Sequence, residues 1–334
     1  MHNSQIVRRL RWILLLGVFL TACQTPGEAE ETSSGGSSPA NEAAFAYDGI
    51  QSQNLDDYSA AFDLSFTADG ESGPTWSYHI ETQVSPDSLT RSLSMEGVSA
   101  AQDPGDITLT RLNDAQYLTG EATEAAGCLI IPLAQSIDQT FLTPDNLLSP
   151  AALSKVLSAK GDQKVAGRAG TRYVFDDQDL GAFTAASGEI VVDQETGITL
   201  RYVFSGQTRD TLFLDDRPGV IEWTYEVTSV GDTGEAEVPE ACQIRYPFPD
   251  DASNLTKLPG LITFESPQPP DSVRAYYEEA LPAAGWERYE YPGEREGAIV
   301  LAYAQAGEIL RVSIRPLEDG TEVTMFTEDD PAEQ

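Results

Sequence analysis

Of 334 residues, 54 are Asp or Glu and 20 are Lys or Arg, a formal charge of -34 that excludes a generic nucleic-acid binder because phosphate would be repelled. Hydrophobic residues make up 40% of the chain, with 13 Tyr, 12 Phe and 4 Trp, enough for folded core and against wholesale disorder. His2 and His79 are the only histidines, which disfavours catalytic triads and imidazole-built metal sites; neither an enzyme nor a cofactor is expected. At roughly 100–200 residues per domain, the length predicts two domains.

The first predicted element is an address. Arg8, Arg9 and Arg11 precede an apolar run from Trp12 to Leu20, too short for the roughly 20 residues of a stable spanning helix, so residues 1–22 read as a signal peptide. Leu20-Thr21-Ala22-Cys23 resembles the bacterial lipobox, which implies that Cys23 is acylated and becomes the first mature residue. The expected location is the cell membrane, lipid-anchored on its extracytoplasmic face, and acyl chains at roughly 0.8 kcal/mol per buried CH₂ hold such an anchor. The bland alternative is a secreted protein with an incidental Cys. Residues 23–42 are acidic and Gly/Ser-rich, a flexible tether reaching roughly 20–25 Å. The excess acid serves either as a solvated surface that avoids anionic headgroups or as a face for cations or basic partners.

From Tyr58, apolar residues alternate: Tyr58, Ala60, Phe62, Leu64 and Phe66, then Trp76, Tyr78 and Ile80 beyond a turn at Asp69–Pro74, the pattern of an antiparallel hairpin. The period of two returns at Ile107–Leu109, Tyr117, Tyr173–Phe175, Ile190–Val192, Leu200–Phe204 and Ile221–Val227, with Asp193–Gly197 as a hairpin turn. Two stretches read as helix: Ala43–Asn54, and Ala151–Lys160 with Ser149 as N-cap, Pro150 at the first position and Gly161 at the stop. The expected fold class is α+β: over residues 43–245 a large antiparallel half-barrel-like sheet capped by helices. A small α+β domain follows over 246–327, one helix (Pro270–Ala284) on an antiparallel sheet, with an acidic tail at 328–334.

The lipobox, the tether, the strand-rich domain and the segment Val165-Ala166-Gly167-Arg168-Ala169-Gly170-Thr171-Arg172-Tyr173 together resemble the LolA-like carrier family, which includes LolA, LolB, RseB, LppX and LprG. The turn Asp193–Gly197 with Ile198–Tyr202 is similar to a late hairpin of that family, and the resemblance covers about residues 43–240. It implies an incomplete barrel enclosing an apolar cavity, and binding or transfer of a lipid or other apolar molecule. The alternative is an RseB-like, non-catalytic sensory or scaffold module with protein partners. The stretch from Pro269 to Trp286 resembles part of a small appendage of exported lipoproteins and brings no activity with it.

Cys128 and Cys242 are the thiols left once Cys23 is acylated, and an oxidising compartment favours a bridge between them, worth about 4–5 kcal/mol by loop entropy; two buried free thiols are the alternative. Asp176–Asp179, Asp215–Asp216 and Asp250–Asp251 lack EF-hand spacing and read as turn-capping carboxylates rather than a metal site. His79 falls on the polar face of its strand. Phe62, Phe66, Trp76, Tyr78, Tyr202, Phe204, Trp223 and Tyr225 form one alternating aromatic face. It is ordinary core if the sheet is filled, and the lining of a ligand pocket if helices cap it as a lid.

Overall fold

Alternation in the sequence becomes alternation in burial: along Tyr58–Ala68 every even-numbered residue is buried and every odd-numbered one is at least partly open. The computed structural model describes residues 45–50, 55–97, 105–123, 127–135, 137, 141–208, 217–231, 233–290 and 297–329. In chain order the strands are β1 (Tyr58–Ala68), β2 (Trp76–Ser85), β3 (Ser88–Glu96), β4 (Ile107–Leu112), β5 (Ala115–Gly120), β6 (Leu129–Pro132), β7 (Ser158–Val165) and β8 (Arg168–Leu180). There follow β9 (Phe183–Asp193), β10 (Thr199–Thr208), β11 (Gly219–Val230), β12 (Ser253–Leu258), β13 (Leu261–Ser266), β14 (Glu287–Arg288), β15 (Ile299–Gln305), β16 (Glu308–Leu317) and β17 (Gly320–Asp329).

The expected helix-capped α+β fold is overturned. The chain is mostly antiparallel sheet, and α-helix among the described residues is confined to Pro144–Leu147, Pro150–Leu153 and Pro270–Ala283. Ser149 and Pro150 do open a helix, but it ends at Leu153, and Ser158 already begins β7. Leu153 is the only residue of the predicted stripe to be buried; Val156 and Leu157 stay half-exposed, so no apolar face rewards a longer helix. Gly161, read as a helix stop, sits at φ +110° where the β7–β8 register slips between Ala159 and Asp162, a bulge that requires this residue type. The other predicted helix, Ala43–Asn54, has no helix where it is described, residues 45–50.

Contacts divide the chain into two units, Met1–Pro86 with Arg91–Asp106 and Ile137–Gly234, and Asp87–Thr90 with Ile107–Ser136 and Glu235–Gln334. Residues 107–136 therefore group with the C-terminal residues instead of with the expected domain 43–245. Lys257 in β12 pairs with Ile130 in β6, and a disulfide joins Cys128 to Cys242 at a Cα separation of 5.1 Å.

In the first unit the strands run β7-β8-β9-β10-β11-β1-β2, each neighbouring pair antiparallel. Register aligns the apolar side chains into rows across them. One row is Phe175, Gly188, Phe204, Trp223, Leu64, Tyr78, and the next is Tyr173, Ile190, Tyr202, Tyr225, Phe62, Ile80. Phe204 and Trp223 stack 3.7 Å apart at 6°, and Tyr202 meets Trp223 edge-on at 5.6 Å. Gly188 supplies the space: a Cβ there would run into Val203 O and the Phe175 ring.

The two segments that carry the family resemblance meet here. Val165 and Arg168 close a two-residue turn with Ala166 and Gly167 both at positive φ, and Arg168 then reaches the start of the next turn, donating from Nε to Asp193 Oδ1 (2.9 Å) and from Nη2 to Oδ2 (2.7 Å). Asp193 Oδ2 also accepts from the Thr196 amide (2.8 Å) and hydroxyl (2.7 Å). Burial by itself would raise this carboxyl; Arg168 and Thr196 outweigh it and hold Asp193 at about 2.

In the second unit the order is β4-β5-β6-β12-β13-β17-β16-β15-β14, again antiparallel. Helix Pro270–Ala283 lays Val273, Tyr277 and Leu281, spaced by four, on Phe264, Leu310, Val312 and Val323. Its end is marked by Gly285 at φ +89° and by the Trp286 amide donating to Leu281 O at 3.0 Å.

Two outcomes follow. A folded carboxyl held below its unfolded value of about 4 contributes stability that is complete above that pH and lost as pH falls toward 2. Asp193→Asn should therefore cost about 2–4 kcal/mol at pH 7 in urea melts, and its deficit should shrink as the melts are repeated down to pH 2. Gly188→Ala should cost about 1–3 kcal/mol by overpacking the ring row, checked by the shift in urea midpoint at constant slope.

Candidate functional site

The face formed by the ring rows is crossed by an extended strap, residues 45–50. Phe45 and Tyr47 turn inward while Ala46 and Asp48 are exposed, the period of an extended chain. Phe45 stacks on Tyr173 at 4.0 Å and Tyr47 meets Tyr202 edge-on at 6.4 Å, so the strap follows the second ring row. The Tyr47 amide donates to Ser154 Oγ (2.8 Å), and the Ser154 hydroxyl lies 3.2 Å from Tyr47 O. Thr199 Oγ1 lies 3.1 Å from both the Tyr47 hydroxyl and Gly49 O. At the far end the Ile50 amide donates to Asp145 Oδ2 at 2.8 Å.

Gly49 is required at that end. Its φ is +90°, and a Cβ there would lie 2.5 Å from Asp145 Oδ2 and 3.0 Å from Pro150 Cγ.

Beside Ile50 lies a hollow of about 90 Å³ walled by Phe62, Ile80, Arg91, Phe141, Asp145 and Tyr225. Its outer wall is pinned where the Leu142 amide donates to the Tyr78 hydroxyl (2.9 Å) and the Arg91 guanidinium lies over the Phe141 ring (5.9 Å). Ligand pockets occupy about 300–1,000 Å³, so this one has room for a few waters and none for an acyl chain. Burial raises the Asp145 carboxyl, opposed by the Ile50 amide, and its Oδ1 is buried without a hydrogen-bond partner. Burial also raises the hydroxyls of Tyr202 and Tyr225.

All eight aromatic residues singled out in the sequence are buried on this face. Phe62 and Tyr225 wall the hollow. Phe66 stacks with Trp76 at 5.8 Å, Tyr78 meets Phe62 at 6.2 Å, and Tyr202, Phe204 and Trp223 pack on one another. Cys23 lies outside the described residues, as do Asp215 and Asp216. Asp176 accepts from Ser187 (2.8 Å), and Asp251 from Ser266 (3.0 Å) and Gln268 (2.9 Å), so the described bonds of these carboxylates run to side chains 11 to 17 positions away and not to the backbone of their own turns. Among the described residues no three His, Cys, Asp or Glu gather where they could hold a metal ion, and no helix is long and apolar enough to cross a membrane. His79 faces solvent with Nδ1 2.6 Å from Asp63 Oδ1; its slight burial opposes protonation, and Asp63 and Glu81 outweigh that to raise it.

Sequence reasoning missed Phe45, Tyr47, Gly49, Asp145, Ser154 and Thr199. The Phe45-Ala46-Tyr47 alternation is too short to stand against a helical reading, and the polar partners come from positions about 95 to 150 residues away.

A family model described as START domain-like matches residues 250–331, which takes in β12 to β17 and helix Pro270–Ala283. No curated protein matches the chain. Among solved structures, that of the Pseudomonas aeruginosa MucA/MucB complex is similar at 13% identity, over 82% of this chain and 89% of that one, with a TM-score of 0.26. A second, of MucB in complex with MucA(peri), gives 12%, 83%, 89% and 0.25. A DUF1329 family protein from Desulfovibrio piger gives 8% identity over 53% of this chain and 86% of that one, with a TM-score of 0.19. Scores this low carry no argument about fold or function.

Asp145 yields a prediction whose sign opposes that of Asp193. A carboxyl raised by folding favours the folded state below its unfolded value of about 4, and that advantage is lost as pH rises through the folded value. Asp145→Asn keeps an acceptor for the Ile50 amide without the charge. It should raise the melting temperature at pH 7 and leave it unchanged at pH 3, as read by circular dichroism.

Proposed function

We propose that this chain is a lipid-anchored module on the extracytoplasmic face of the cell membrane that works by binding a polypeptide partner, without catalysis. The observation that carries this reading is what occupies the ring face. A stretch of extended polypeptide lies there with alternate side chains turned in, and Ser154, Thr199 and Asp145 meet its backbone groups. The hollow beside it, about 90 Å³, is smaller than a lipid requires. The lipobox reading of Cys23 and the acidic tether support the anchor, and a charge of -34 favours a basic partner over anionic headgroups.

A second reading, binding or transfer of a lipid or other apolar molecule, draws on the apolar walls Phe62, Ile80 and Phe141, which would lengthen into a groove if the strap left.

Two measurements test these. Wild-type chain expressed with an alkyne-tagged fatty acid should be labelled and sediment with membranes, whereas Cys23→Ala should be unlabelled and remain in the supernatant; equal labelling removes the anchor. Native mass spectrometry of Cys23→Ala from a lipid-containing host should return the bare chain. A co-purified lipid mass would install the second reading instead.

A further inference from the structure

We infer that residues 45–50 are an internal stand-in for the partner, and that the groove above the second ring row accepts an extended partner segment of the pattern aromatic, any, aromatic, any, Gly, aliphatic. This rests on the polypeptide-binding reading and says what is bound.

The pattern is read from the groove's present occupant. Phe45 takes the face of Tyr173, Tyr47 the edge of Tyr202, and Ile50 the margin of the hollow beside Phe62 and Tyr225. Ala46 and Asp48 are exposed, so two positions are unspecified. The fifth position must be Gly, since at φ +90° any Cβ would fall on Asp145 and Pro150.

The described hydrogen bonds that hold the strap run to side chains, Ser154, Thr199 and Asp145, and not into the strand ladder of β7-β8-β9-β10-β11-β1-β2. A chain supplied from outside can make every one of them. A segment linked within the same chain meets its site at an effective concentration of about 1 mM. A free segment making the same contacts at 10 µM, the assay concentration, is therefore outcompeted by about 100-fold, and the resting protein keeps its groove closed against weak partners.

The test keeps the groove intact and weakens the strap. The full chain carrying Phe45→Ala and Tyr47→Ala is titrated, beside wild type, into a fluorescein-labelled peptide copying residues 43–52, and anisotropy is read. The double variant should bind at least ten-fold more tightly than wild type, and a peptide with Ala at both aromatic positions should lose at least ten-fold. Equal binding by the two chains, or none by a double variant that keeps its near-ultraviolet dichroism, overturns the inference. So does displacement of the peptide by equimolar oleate, or a strap-exchanged dimer of wild type in size exclusion.

If the double variant loses its tertiary dichroism, hydrogen exchange on wild type decides. Amides of Tyr47 and Ile50 exchanging at least ten-fold faster than that of Trp223 support a strap that opens by itself, and a common rate overturns it. Failed peptide binding together with a co-purified lipid mass would remove the polypeptide-binding reading as well; failed binding with a bare mass removes the stand-in alone.

Discussion

The first unit depends on one requirement, that a broad face of aromatic rings be covered. Antiparallel register places Phe175, Phe204, Trp223 and Tyr78 in one row and Tyr173, Tyr202, Tyr225 and Phe62 in the next, so β8, β10, β11, β1 and β2 contribute rings to the same side, with Gly188 and Ile190 of β9 between them. Rings pack well on rings, and Gly188 lets the row close, but a sheet face still needs a second layer to exclude water. That layer is the strap with the segment 141–145. Burying a large apolar side chain stabilises by about 1.5–3 kcal/mol, while ordering one residue's backbone costs about 1–2 kcal/mol. For six residues carrying Phe45, Tyr47 and Ile50, the opposing contributions are of the same size. The cover therefore opens at little net cost, while rows held by ladders on both sides are bound to the sheet as a whole.

Two carboxylates divide the electrostatic labour. Asp193 meets a bidentate guanidinium and the amide and hydroxyl of Thr196, so its charge is matched and its turn is fixed. Asp145 has one described amide for company and one buried oxygen without a partner, so its charge is poorly matched where it holds the strap. A few other arginines pair across strands, among them Arg172 with the part-buried Glu189 and Arg315 with Glu322, and an exposed pair of that kind is worth about 0–1 kcal/mol.

Much of the sheet was legible because β structure announces itself with a period of two. Phe66 opposite Trp76 follows directly from the alternation on either side of the Asp69–Pro74 turn, and Asp193–Gly197 closes β9 on β10 with Gly197 at φ +76°. What failed was local where the structure is not. Ser149, Pro150 and Gly161 form a consistent helix signature, yet β8 recruits Ala159 and Asp162 as ladder partners and turns Gly161 into a bulge. The Cys128–Cys242 bridge was legible, but the grouping of residues 107–136 with the C-terminal residues was not, because it also takes the long-range β6–β12 pairing, which no local pattern announces. The strap was illegible for a related reason: nothing within residues 45–50 tells that Ser154, Thr199 and Asp145 will stand around it.

The two units solve the covering problem by different means, and the difference indicates where recognition resides. In the second, the cover is a fourteen-residue helix whose interior backbone groups mostly pair within the helix, with Tyr277 and Leu281 fully buried in the shared core. Such a cover leaves only if its core is opened. In the first, the cover is six residues without helix or strand, whose described backbone hydrogen bonds end on side chains of other segments. An extended segment satisfies little by itself, so the groove that holds it must offer donors and acceptors to whatever chain lies there. On the polypeptide-binding reading, a face furnished in that way needs no rebuilding to hold a partner chain: its selectivity would come from ring spacing and from the glycine that Asp145 and Pro150 demand, and its availability from how tightly Ser154, Thr199 and Asp145 hold their own chain.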